Sequence, residues 1–259
     1  MFPSQIEPLF WNYWANIVYI LGSIGYMFMN LFCLVFCINK FVYASFVLYV
    51  ILAILFVIDA ILYTIDWYTY AVLLRKSKNI PINYKAEFTA CIFQILGSYC
   101  YLLGAILAEN KTKYMPKILA LNVAGIFSLV LEATFTIVGW QITLKNKTYF
   151  NRGCCAQDIY LWAHVLNLTA DLIYLLATII AVLRFQMDLI RYPATVQLLQ
   201  IIGDIVYVVD SLLYMRCYMR EKDVLEEKRA KENNEKETVS QQKYDNRGLE
   251  LESILGNNN

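Results

Sequence analysis

Six stretches of this chain are each long and apolar enough to cross a bilayer, and no other feature limits its possible folds as strongly. A hydrocarbon core about 30 Å thick is crossed by about 20 apolar residues in a helix. Within it, only a helix or a closed barrel satisfies its own backbone groups. The segments cover approximately residues 10–38, 42–74, 88–108, 118–144, 159–183 and 194–218. The second is long, but two spans and a turn would need over about 40 residues, so it is read as one. The expectation is an all-α polytopic membrane protein: a six-helix transmembrane bundle over residues 1–219 and a cytoplasmic tail over 220–259.

Composition agrees with lipid as the solvent. The 259 residues are 59% hydrophobic and 17% charged, more apolar and less charged than soluble domains. A net charge of +1, with no nucleic-acid-binding module, argues against nucleic acid as a partner. The first residues, Met1 to Pro8, lack the basic region of a signal peptide, and the apolar stretch after them is too long for a signal-peptide core. That stretch is expected to stay as a span. Five cysteines, Cys33, Cys37, Cys91, Cys100 and Cys217, lie in or beside apolar segments and read as small buried groups. Cys154 and Cys155 form a juxtamembrane pair open to acylation.

Polar, breaker-rich sequence separates the spans, as in Arg75-Lys76-Ser77-Lys78-Asn79-Ile80-Pro81. With six spans both termini lie on one side. The loops divide Lys and Arg seven to six, so Arg216, Arg220, Lys222, Lys228 and Arg229 after the last span decide the matter and place both termini in the cytoplasm. Beyond Arg220 the sequence interleaves Glu and Lys and then turns Asn/Gln/Glu-rich, which cannot bury a core. It is read as helix to about Lys236 followed by disorder. Of three glycosylation sequons, Asn110-Lys111-Thr112 alone falls on the outer side outside a span.

Each span carries one polar or acidic residue near its middle: Ser23, Asp59, Ser98, Glu132, Asp171 and Asp204, spaced 33 to 39 residues apart. Such spacing suggests an internal repeat. Four spans share a local pattern, Gly22-Ser23-x-x-Tyr26, Gly97-Ser98-x-x-Tyr101, Ala170-Asp171-x-x-Tyr174 and Gly203-Asp204-x-x-Tyr207. Polar groups also stand four and seven residues earlier, including His164 and Asn167, and at about 100° per residue these positions share one helical stripe. A carboxylate at the bilayer centre costs roughly 2.5–3.5 kcal/mol on insertion scales, so the stripe is expected to face inward. No Lys or Arg lies mid-span to neutralise it, which favours shared protons or a bound cation. The competing explanation is packing, with Gly and Ser allowing close approach and amides bonding between helices.

The string Trp14-Ala15-Asn16-Ile17-Val18-Tyr19-Ile20-Leu21-Gly22-Ser23-Ile24-Gly25-Tyr26 resembles the span motif of YrhK-like membrane proteins, and Phe93-Gln94-Ile95-Leu96-Gly97-Ser98-Tyr99-Cys100-Tyr101 is similar to it again. The Asp- and Glu-containing spans depart from that motif. The resemblance implies a membrane-spanning helix and no particular activity.

Two functions follow. In the first, the protein is a small-solute or cation/proton transporter or channel, with Asp59, Glu132, Asp171, Asp204, Ser23, Ser98, His164, Asn167, Tyr174 and Tyr207 as the binding set. In the second it is a non-catalytic accessory membrane protein whose polar stripes only pack the helices, against partner proteins or a second copy. An enzyme is disfavoured: one histidine, His164, cannot build a multi-His metal site, and the residues before Gly203-Asp204 do not complete an intramembrane aspartyl-protease motif. No cofactor is expected.

Overall fold

Among the described residues, each apolar segment lies in one helix. The computed structural model describes residues 9–36, 42–69, 84–145, 154–187 and 194–256. They form α1 (Phe10–Phe36), α2 (Val42–Asp66), α3 (Tyr84–Leu107), α4 (Lys111–Lys145), α5 (Cys154–Gln186) and α6 (Ala194–Gly256), with a 3-10 turn at Ala108–Asn110. No strand occurs among the described residues. All six helices contain a stretch able to cross a membrane: Phe10–Val35, Tyr43–Thr69, Lys85–Asn110, Lys113–Gln141, Ile159–Gln186 and Ala194–Val224. The connecting stretch from Arg75 to Pro81 and the sequon at Asn146 lie outside the described residues.

The helices run past the expected spans at several ends, α3 starting at Tyr84 and α5 at Cys154, and two departures are larger. Span four was expected to begin near Ile118, after Pro116, whereas α4 starts at Lys111 and runs through that proline. Pro116, the sixth residue of α4, costs the helix one backbone hydrogen bond near its start, and the helix continues past it. The α6 helix continues to Gly256, past about Lys236. Glu and Lys favour helix, and the pairs Lys222–Glu226 at 3.8 Å and Glu227–Lys231 at 2.8 Å sit at the i,i+4 spacing that supports one.

The chain divides into two compact units, Met1–Tyr218 and Met219–Asn259. In the first, helices adjacent in sequence pack side by side from α1 to α5. Cross-links give the register. Asn12 donates to Asp66 at 3.0 Å, and Tyr49 donates to Asn30 at 2.8 Å, which sets α1 antiparallel to α2. Trp67 donates to Glu87 at 3.1 Å, and Gln94 to Asp59 at 3.3 Å, setting α2 against α3. The rings of Phe93 and Phe135 stack between α3 and α4 with centroids 5.9 Å apart. The last helix closes on the first, with Asn30 donating to Asp204 at 2.7 Å and Tyr19 to Asp210 at 2.9 Å.

Burial is inverted relative to a soluble domain. Phe28, Ile54, Leu96, Phe127, Leu172 and Leu212 are exposed, forming an apolar exterior suited to lipid. Asp171, Asp204, Asp210, Ser23 and Ser211 rank among the most deeply buried side chains. Small residues let the helices approach closely: a Cβ on Gly97 would stand 3.1 Å from the carbonyl oxygen of Gly125 and 2.8 Å from Leu129.

Candidate functional site

All six mid-span residues, Ser23, Asp59, Ser98, Glu132, Asp171 and Asp204, are buried, each at or below 7% exposure. Each helix turns its polar stripe inward because the opposite face is a near-continuous run of Leu, Ile, Val and Phe that belongs in lipid. The six side chains are divided between two neighbouring cavities. The larger encloses about 840 Å³, open mouth included, and takes Asp59, Ser98, Glu132 and Asp171. The smaller, about 550 Å³ on the same measure, takes Ser23, Ser98 and Asp204. Phe56, Ser98, Leu129 and Tyr207 border both.

The carboxyls are held by neutral donors. Asp59 accepts from the Gln94 amide, and Glu132 accepts from Thr136 at 2.9 Å and from the Asn167 amide at 3.3 Å. Between α5 and α6 the bonds cross: Tyr174 of the Asp171 motif donates to Asp204, and Tyr207 of the Asp204 motif donates to Asp171. Reading each helix separately gives no hint of this exchange. It follows from placing Asp-x-x-Tyr on two antiparallel neighbours, where each Asp faces the other helix's Tyr. Gly203 makes room for it, since a Cβ there would lie 2.7 Å from the Tyr174 ring.

The expectation that His164 joins the carboxyl layer is not met. Its Nδ1 lies 2.7 Å from the Tyr214 hydroxyl, its ring is near Tyr160, and it lines neither cavity. Asn167 does join the layer, through Glu132, and its carbonyl oxygen lies 3.5 Å from the Tyr19 hydroxyl, at the limit of a hydrogen bond.

Other members of the polar interior were missed. Asp210 is fully buried and bonded to Tyr19. Asn30 is buried and bridges Tyr49 and Asp204. A signal for Asn30 did exist: it lies seven residues after Ser23, on the same stripe. Among the described residues, four buried oxygens have no hydrogen-bond partner: Ser23 Oγ, Gln94 Oε1, Asp171 Oδ2 and Asp210 Oδ1. Among the described residues, no three His, Cys, Asp or Glu side chains converge as a metal site requires.

A helical bundle with an apolar exterior and a buried acidic interior defines the chain as a multi-pass integral membrane protein. Comparison with protein-family models, curated proteins and solved structures finds no match to it.

Proposed function

We propose that this protein moves a small solute, a cation or protons across the membrane through the acidic cavities, with both termini in the cytoplasm. One observation carries the reading. Among the described residues, Asp59, Glu132 and Asp171 line one cavity that no Lys or Arg lines, and Asp171, 1% exposed, keeps one carboxyl oxygen without a partner. Three uncompensated carboxylates at this depth cost roughly 10 kcal/mol in total, a large burden for a fold of ordinary stability. Positive charge or protons in the cavity offset that cost. Ser23, Ser98 and Asp204 extend the polar lining into the second cavity, and Tyr174 and Tyr207 hold Asp204 and Asp171 in position.

The test is flux into liposomes containing the purified protein, using proton- and potassium-sensitive dyes, for wild type and for Glu132→Gln, Asp171→Asn and Asp204→Asn. Flux that the substitutions reduce supports the reading. No flux, or equal flux in all four, rejects it.

A second reading rests on a different observation. The close approach of Gly97 to Gly125 and the crossed Tyr–Asp bonds are features that lock helices together. In that case the protein is an accessory subunit whose polar residues only pack. It requires that isosteric Asp→Asn changes leave both bundle stability and cellular function unaltered.

A further inference from the structure

The larger cavity has a specific chemistry beyond its acidity. Its polar lining is rich in acceptors: three carboxyls, together with the side chains of Asn12, Asn16, Gln94 and Asn167. Two buried oxygens there, Asp171 Oδ2 and Gln94 Oε1, have no donor. Its remaining wall is aromatic, with six tyrosines and Phe56. Tyr19 sits edge-on to Phe56, Tyr207 and Tyr214, with centroids 6.2–6.3 Å away. The carboxyls are spread around the wall and do not converge on a point, so a bare metal ion would not find its ligand shell among the described residues.

Acceptors without donors call for N–H groups, carboxyls without cations call for positive charge, and aromatic faces favour a cation on an apolar body. We infer that the larger cavity is a binding site for an organic ammonium: a primary or secondary amine, protonated, on a small apolar body. The ammonium donates to Asp171 Oδ2 and to the Glu132 side of the cavity, and the body lies against the tyrosine rings. The space for a ligand there is about 120 Å³, so the apolar body must be a small one. The inference rests on the transport reading only in using the same cavity, and it names the occupant.

The full chain in detergent micelles would be titrated with phenethylammonium chloride, and with 3-phenylpropanol as a neutral body of similar size. Sodium, potassium and tetraethylammonium chlorides serve as charge-only and N–H-free controls. Binding is read by tyrosine and tryptophan fluorescence and by the shift in melting temperature. Phenethylammonium is expected to bind at least about tenfold more tightly than the alcohol or tetraethylammonium. Asp171→Asn should weaken it by about tenfold, and Thr134→Ala, at an exposed helical position, should leave it unchanged. The wild-type comparison needs no variant to fold. Equal binding of amine and alcohol, or no binding of either, overturns the inference. If carboxyl-dependent proton or potassium flux persists in that case, the transport reading stands alone. Selective amine binding without any flux supports the site and removes transport.

Discussion

Tyr207 on α6 donates its phenolic proton to Asp171 on α5, while Tyr174 on α5 returns the same bond to Asp204 on α6. The two bonds are related as a pair, so neither helix can slide or rotate without breaking both. Tyr207→Phe is expected to destabilise the bundle by about 0.6–1.7 kcal/mol, the range for hydrogen bonds between membrane helices. A double-mutant cycle with Asp171→Ala, which removes the acceptor, followed by unfolding in mixed micelles, measures the coupling. Strict additivity would mean the bond contributes nothing.

Glycine positions differ in what they tolerate. A Cβ on Gly25 would come within 2.3 Å of Leu52, but the obstacle is a terminal methyl that can rotate away. At Gly97 one of the obstacles is the Gly125 carbonyl, part of the α4 backbone, which cannot. Gly97→Ala is therefore expected to cost about 1–3 kcal/mol and Gly25→Ala clearly less, although its contact is closer. Melting temperatures of the two variants in the same detergent decide the order.

Asp210 offers a test of acid against shape. Asparagine can still accept from Tyr19, whereas leucine leaves that hydroxyl only its 3.5 Å contact with Asn167. Asp210→Leu should cost about 1–3 kcal/mol more than Asp210→Asn in the same unfolding assay. Equal effects would show that the Tyr19 bond is incidental.

The Met219–Asn259 unit has its own pH response. The Lys231 ammonium holds the Glu227 carboxyl below its usual range, and Glu227 in turn raises Lys231. A depressed carboxyl contributes helix stability above its unfolded pKa and loses it as pH falls through the folded value. A raised ammonium contributes below its unfolded pKa and loses it as pH rises through the folded value. Helix protection near residues 227–231 should thus be greatest around neutrality, fall at acid and strongly alkaline pH, and weaken in salt. Amide hydrogen exchange across that range checks it; a flat profile would remove the pair from the account.

The spans could be read from the sequence because the bilayer imposes one length and one backbone solution on each. The burial of Ser23, Asp59, Ser98, Glu132, Asp171 and Asp204 was readable for a related reason: polar groups at helical spacing on an apolar segment have only the interior to face. What could not be read was which helix each residue meets. Asp210 lies six residues beyond Asp204 and so off its stripe on α6, yet it too finds a partner in the interior, Tyr19 on α1. Asn30 and His164 went astray for the same reason. Their stripe was visible, but their partners, Asp204 and Tyr214, lie far along the chain. Helix periodicity records direction and not destination.

The boundary between the two cavities consists of Phe56, Leu129, Ser98 and Tyr207, two hydrophobic bodies and two hydroxyls. Such a partition sorts by bulk. A solute of any size must push an aromatic ring or a leucine aside, and in a close-packed interior each such passage is a discrete, activated event. Protons hopping between hydroxyls need no such displacement. On the transport reading proposed above, a route built this way would act as an airlock with a bypass for protons: solute turnover would rise steeply with temperature while proton leak would not, and enlarging the opening through Leu129→Ala would bring the two closer together.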